Sequence, residues 1–208
     1  MEAEFISFDL YHPQPLLIVI SGPSGVGKDA VVRTLQRREN SLHFVVTATS
    51  RPMRVGEVDG VDYIFVSDEQ FKDMIARDDL LEYAVVYQQY KGIPKSQVRD
   101  AMASGKDVIM RIDVQGAATL RSLCPDAVLI FLIPSNQAEW VQRLMDRRTE
   151  TPESMQLRVK TAQQELTRMS EFDYVVVNAQ DCLDEAVASI EAIIDAEHHR
   201  VNPRKICL

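Results

Sequence analysis

Eight consecutive residues, Gly22-Pro23-Ser24-Gly25-Val26-Gly27-Lys28-Asp29, have the types and spacing that phosphate chemistry needs. Glycines let successive backbone N–H groups curl around an anion, and a lysine after the last glycine reaches its outer oxygens. The G-x4-G-K spacing alone is weak, arising by chance in roughly 6% of chains of this length at average composition. Context gives it weight: the apolar run Leu16–Ile20 ends just before it, and a helical pattern opens at Lys28. Asp29 stands where such loops use serine or threonine to ligate Mg²⁺. A carboxylate can hold the ion directly or through water. Alternatively, Asp29 caps the helix and the phosphates hold the metal. Arg51 and Arg54 flank Pro52 outside any helical pattern. Two guanidinium forks on a stiff loop suit a phosphate dianion, although a solvated basic loop would look the same. Arg143 and Arg147 lie four apart on one helical face, and Arg158 follows on the next helix. On spacing alone these arginines read as readily as a solvated face.

Positioning such groups requires a rigid frame, and the chain supplies strand-like runs alternating with helical periodicity. The strand candidates are Leu16–Ile20, His43–Thr47, Asp107–Ile112, Ala127–Ile133 and Tyr174–Val177. Their nearly continuous apolar character predicts an α/β fold with a largely parallel sheet covered on both faces. Helices are expected from Lys28 through Leu35, around Val98 to Met102, and over Leu183 to Ile194. Another carries Met155, Val159, Ala162, Leu166 and Met169 on one stripe, with Thr151 as N-cap and Pro152 in the first turn. After the last helix the chain reads as a fraying polar tail. Between about 48 and 94 the pattern changes. Short strands at Tyr63–Val66 and Leu81–Tyr87 flank a helix with the capping box Ser67/Gln70 and the apolar face Phe71, Met74, Ile75. That stretch reads as a small inserted lobe, and 143–168, with its five arginines, as a second peripheral one.

Composition bounds the rest. The 208 residues, 46% of them apolar, suit one domain that buries about 70% of its unfolded surface. A net charge of −8 argues against a nucleic acid polymer as partner. The apolar runs are far shorter than the roughly 18 residues of a membrane span. Cys124, Cys182 and Cys207 share no metal-ligand spacing. The acidic start MEAEFISFDL resembles neither a secretory signal nor a transit peptide, so the expected location is cytoplasmic. A plastid or mitochondrion reached after leader removal is the alternative.

The motifs GPSGVGKD, TSRPMRVGEVDGVDY, LLEYAVVYQQYKGIPK, RIDVQGA, RLMDRRTE and FDYVVVN resemble, in order and separation, those of guanylate kinases. The resemblance spans roughly residues 14 to 198. It implies a P-loop NTPase fold with an inserted GMP-binding lobe and a helical lid. The core would occupy about 14–46, 95–140 and 171–198, the lobe about 47–94 and the lid about 141–170, all within one domain of 1–208. It also implies transfer of the γ-phosphoryl of ATP to GMP in purine nucleotide metabolism, with Mg²⁺ accompanying ATP. Residues 22–29 would bind ATP. Arg51, Arg54 and Tyr63 would bind the GMP phosphate, and Glu82 and Asp113 would read guanine with Thr47 assisting. Arg143, Arg147 and Arg158 would close on the ATP phosphates, and Asp113 would touch Mg²⁺ through water.

Three positions depart from the family pattern in a way similar to plant organellar and some bacterial members. Lys91 replaces a tyrosine and would meet the GMP phosphate with a full charge. Ile93 replaces a serine or threonine and removes a guanine hydrogen bond. Arg111 replaces an acid; lying i, i+2 from Asp113 on a strand, it would keep Asp113 ionised, reach a phosphate, or form a structural ion pair. Two other readings remain: a non-catalytic scaffold of this fold, and a kinase of this fold for another phosphorylated acceptor such as a ribose bisphosphate.

Overall fold

The computed structural model describes residues 13–39, 41–86, 88–145 and 152–206, with side chains from 157 onward in the last stretch. In chain order the elements are β1 (Leu17–Ser21), α1 (Lys28–Arg38), β2 (Leu42–Phe44), β3 (Ala48–Thr49), β4 (Ile64–Phe65), α2 (Asp68–Ala76), β5 (Leu80–Val86) and β6 (Gln89–Pro94). Then come α3 (Lys95–Ala103), β7 (Asp107–Arg111), α4 (Val114–Leu123), β8 (Val128–Ile133), α5 (Gln137–Met145), α6 (Pro152–Thr167), β9 (Tyr174–Val177) and α7 (Leu183–His198).

The apolar runs form a parallel sheet in the order β2-β7-β1-β8-β9. The central strand shows why those runs are continuous. Ile18 and Ile20 face a core completed by Val31 and Leu35 of α1 and by Val187 and Ile190 of α7. Leu17 and Val19 face the other way, toward a core that includes Val98 of α3 and Ala117 and Leu120 of α4. All four β1 residues are fully buried, each burial contributing about 1.5–3 kcal/mol before entropy is counted. With β7 and β8 on either side of β1, strand order reverses beside the loop that leaves β1. That is where open α/β sheets bind ligands.

A second sheet, β4-β3-β6-β5, is built by residues 48–94. β5 and β6 form an antiparallel hairpin, β3 joins β6 antiparallel, and β4 joins β3 parallel. The expected capping box at Ser67 and Gln70 is present on α2, and Phe71 packs with Ala48, Leu80 and the half-buried Met74 and Ile75. β6 runs directly into α3, fastening this sheet to the parallel one.

Several features differ from the sequence expectation, β3 and β6 among them. The strand expected over His43–Thr47 stops at Phe44, and the Gln97 side chain takes both backbone groups of Val46 (2.9 and 3.1 Å). A helix, α4, follows β7 where none was anticipated, capped by Asp113. The stripe on α6 is only partly buried: Val159 and Ala162 pack on Trp140 and Leu144 of α5. Leu166 is 43% exposed, and Met169, past the helix end in a 3-10 turn, is 39% exposed. Thr151, the expected cap, lies outside the described residues. The C-terminal segment does not fray, for Arg204 binds Glu197 through two nitrogens (2.6 and 2.8 Å) and Ile206 packs against the core. Among the described residues no helix is long and apolar enough to cross a membrane.

Candidate active site

The loop between β1 and α1 is held from behind. Gly22 has φ +137, and a Cβ there would come 2.3 Å from the Leu132 carbonyl oxygen. Gly27, in the left-handed region at φ 95, is the N-cap of α1, and a Cβ there would strike the Asn178 amide at 2.4 Å. Asn178 itself donates to the Val26 carbonyl at 2.7 Å. Only glycine satisfies both positions. Gly22, Ser24, Gly25, Gly27, Lys28 and Asp29 line one cleft. Pro23 and Val26 do not: the Val26 side chain is in the core and its N–H turns inward to the Pro23 carbonyl. Lys28 folds onto the carbonyls of Gly22 and Pro23. Burial lowers its ammonium to about 8, with nearby Glu165 opposing that shift.

Opposite the loop, the second sheet contributes the other groups expected from sequence. Arg51, Arg54, Tyr63, Glu82, Lys91 and Thr47 line the same cleft. Arg51 is buried, its guanidinium 4.6 Å from the Tyr63 ring centre and bonded to both oxygens of Glu57. Glu57 also accepts the Arg54 N–H at 2.8 Å. This carboxylate, unnoticed in the sequence, organises the arginine loop; its place three residues after Arg54 was the available signal.

Glu82 is 4% exposed, and its Oε2 has no hydrogen-bond partner among the described residues. Burial, then the neighbouring Asp113, pushes Glu82 up to about 8, while Lys91 opposes this. Gly116 makes the room: a Cβ there would sit 2.4 Å from Glu82 Oε2. Asp113 Oδ1 accepts the N–H groups of Gln115 and Gly116 (2.9 and 3.0 Å), so the helix that Asp113 caps also carries the glycine facing Glu82.

Several expected roles are redistributed. Arg111 does not share a strand face with Asp113, because β7 ends at Arg111 and Asp113 begins α4. It pairs instead with Asp29 at 2.8 Å, donates to the Asp62 carbonyl at 2.8 Å and lies 4.4 Å from the Tyr63 ring centre. Arg111 thus forms an ion pair, with Asp29 rather than Asp113, and it also lines the cleft. Ile93 is fully buried among Val98, Met110 and Ile112 and does not line the cleft. Arg143 also lies outside the cleft, paired with Glu139 and reaching the Val26 carbonyl from behind. Arg158 does line it, donating to Ser24 Oγ at 2.7 Å. Arg147 falls outside the described residues. No group of three or more His, Cys, Asp or Glu side chains that could hold a metal occurs among the described residues.

Known proteins share this fold. A guanylate kinase from Anaplasma phagocytophilum superposes with a TM-score of 0.75 at 27% identity, covering 92% of this chain and 90% of its own. Guanylate kinase 2, chloroplastic/mitochondrial, of Oryza sativa subsp. japonica is 55% identical over 93% of this chain and 68% of its own length. The guanylate kinase of Clostridium perfringens strain SM101 is 46% identical over 91% of this chain and 87% of its own length. The family model described as guanylate kinase matches residues 14–197. With the glycine loop, the arginine loop and the buried carboxylate gathered around one cleft of a P-loop NTPase fold, this chain belongs to the guanylate kinase family.

Proposed function

We propose that this chain transfers the γ-phosphoryl group of ATP to GMP, giving ADP and GDP. The observation that carries this reading is the single cleft shared by the phosphate loop, by Arg51 and Arg54, and by Glu82. Guanine presents adjacent N1–H and N2–H donors, and a carboxylate accepts both. Glu82, buried with an unpartnered oxygen, suits that pair. Adenine lacks the pair and would leave the carboxylate unsatisfied at a cost of about 1–3 kcal/mol.

The acceptor is already an anionic phosphate oxygen, so no general base is needed. That oxygen attacks the γ-phosphorus, the bond to the β–γ bridging oxygen breaks, and ADP departs. The work left to the protein is to align two polyanions and neutralise their repulsion. Lys28 and the loop N–H groups would take the ATP phosphates, with Arg158 from the segment 141–170 acting as lid. Arg51, Arg54, Tyr63 and Lys91 would take the GMP phosphate from the lobe 47–94. Mg²⁺ would enter with ATP and would neutralise charge on the phosphates; Asp113, which lines the cleft, is the residue that would face it. Asp29, engaged by Arg111, is assigned to the frame instead. We place the protein in the cytoplasm; cell fractionation would decide between that and the plastid or mitochondrion named for the rice relative.

The test is ADP production from ATP with GMP, dGMP, IMP, AMP, UMP and ribose 1,5-bisphosphate in parallel. Strong preference for GMP and dGMP is expected. Turnover of the ribose bisphosphate alone would overturn the guanine assignment, and silence with every acceptor would favour a scaffold.

A further inference from the structure

Arg111 touches three separate parts of the molecule with one planar group. Its backbone closes β7, where it pairs with Ile20 of β1 two residues before the glycine loop. Nη1 donates to Asp29 Oδ1 at 2.8 Å in the first turn of α1, and Nη2 donates to the Asp62 carbonyl at 2.8 Å just before β4. The guanidinium carbon lies 4.4 Å from the centre of the Tyr63 ring, and that of Arg51 lies 4.6 Å from the same centre. Arg51 in turn is fixed by both oxygens of Glu57. Contacts therefore run unbroken from the helix that starts at Lys28, through Asp29, Arg111 and Tyr63, to Arg51. Only a guanidinium combines two separately aimed N–H donors with a flat face for a ring, whereas an ammonium is a point charge. Asp29 is 43% exposed, so this pair adds little to stability. What it does hold is the spacing between Lys28 and the ring beside Arg51.

We propose that Arg111 is a positioning residue for phosphoryl transfer: through Asp29 and Tyr63 it sets how far the acceptor phosphate sits from the phosphate loop. That role rests on ATP-to-GMP transfer being the reaction, with Arg51 and Tyr63 at the acceptor phosphate. In-line attack tolerates little misplacement, an error of about 1 Å costing roughly 10²-fold in rate. Arg111 thus acts on kcat through its neighbours and needs no bond to either nucleotide.

Steady-state kinetics with ATP and GMP would compare wild type with Arg111→Met, Arg111→Lys, Asp29→Ala and the double variant Asp29→Ala/Arg111→Met, each checked for a cooperative melt. Arg33→Met serves as control, since Arg33 ties the same lobe to α1 through the Asp62 carboxylate from a half-exposed position. Arg111→Met should lower kcat about 10–100-fold and Asp29→Ala about tenfold, with KM for ATP kept within about twofold. The double variant should be no slower than Arg111→Met, because both changes break one chain of contacts. Arg111→Lys should recover less than about threefold over Arg111→Met, and Arg33→Met should stay within about twofold of wild type. Near-wild-type kcat in either Arg111 variant that folds overturns the positioning role. So does a multiplicative loss in the double variant, or a loss in Arg33→Met as large as that in Arg111→Met. A raised KM for ATP in Asp29→Ala with kcat kept would assign Asp29 to the donor phosphates and overturn it too. Wild type that turns over another acceptor but no GMP would instead remove the ATP-to-GMP reading, and the positioning role with it.

Discussion

Under the proposed function, base selection turns on Glu82 with Gly116 beside it, and each supports a separate prediction. Burial, then Asp113, pushes the Glu82 carboxyl up to about 8, above its ordinary 4.5. Its contribution to the stability of the empty protein is thus fully present below about 4.5 and is lost as pH rises through about 8. Guanine's two donors favour the ionised form, so GMP binding at pH 7 should release close to one proton. Calorimetry in buffers of different ionisation enthalpy would detect it, and Glu82→Gln should abolish it. Gly116→Ala should separate binding from folding. Alanine favours the helix by about 1 kcal/mol, yet its Cβ would displace Glu82, so KM for GMP should rise about 10–100-fold with no loss of melting temperature. A lower melting temperature with unchanged KM would refute the close approach. Lys28→Ala and Arg51→Ala should each cut turnover by orders of magnitude while far-UV circular dichroism is kept. At this scale the sequence exposed most of the charged residues that line the cleft, Glu165 excepted, but not their pairing. Nothing in a one-dimensional pattern says that Arg111 reaches back across 82 positions to Asp29, or that Ile93 turns into the core.

Elements reach one another here through charge as well as apolar surface. Arg33 of α1 pairs with Asp62 just before β4, while Arg111 at the end of β7 holds the Asp62 carbonyl and Asp29 of α1. The cleft wall that carries Tyr63 is thereby tied to both α1 and β7. α2 depends on a local device: Ser67 Oγ accepts the Gln70 N–H while Gln70 returns to the Ser67 N–H. Ser67→Ala should lower stability by about 1 kcal/mol in urea titration, with turnover unchanged. An effect below a few tenths would mean that Phe71 packing alone holds the helix. Long apolar runs and this capping box were legible in sequence because each has a local cause. β3, β6 and α4 were not. β3 is two residues long, Lys91 and Gly92 interrupt the apolar pattern of β6, and the alanines and glycine of α4 pack closely without marking a strong stripe.

For the molecule as a whole, the C-terminal segment is a clasp. The buried Glu197 carboxylate is held by Arg204 and Tyr174, and these bonds, Arg204 first, depress it to about 2. A depressed carboxylate contributes stability that is present above its unfolded value near 4.5 and is lost as pH falls toward 2. Glu197→Gln should therefore lower the melting temperature at pH 7 and flatten the decline of stability between about pH 4.5 and 2. A parallel offset at every pH would show that the clasp acts through shape rather than charge. The order of strands carries a different consequence, for the life of the chain during synthesis. Leu17 pairs with Val108 and Ile18 with Val128, so β1 leaves the ribosome long before either neighbour exists. Residues 48–94 close their own hairpin and small core earlier, from contacts near in sequence. The nascent protein thus completes this smaller sheet first, while the apolar residues of β1 and the glycine loop after them wait in the open for about ninety codons. In that interval, trigger-factor-like chaperones have the most to protect.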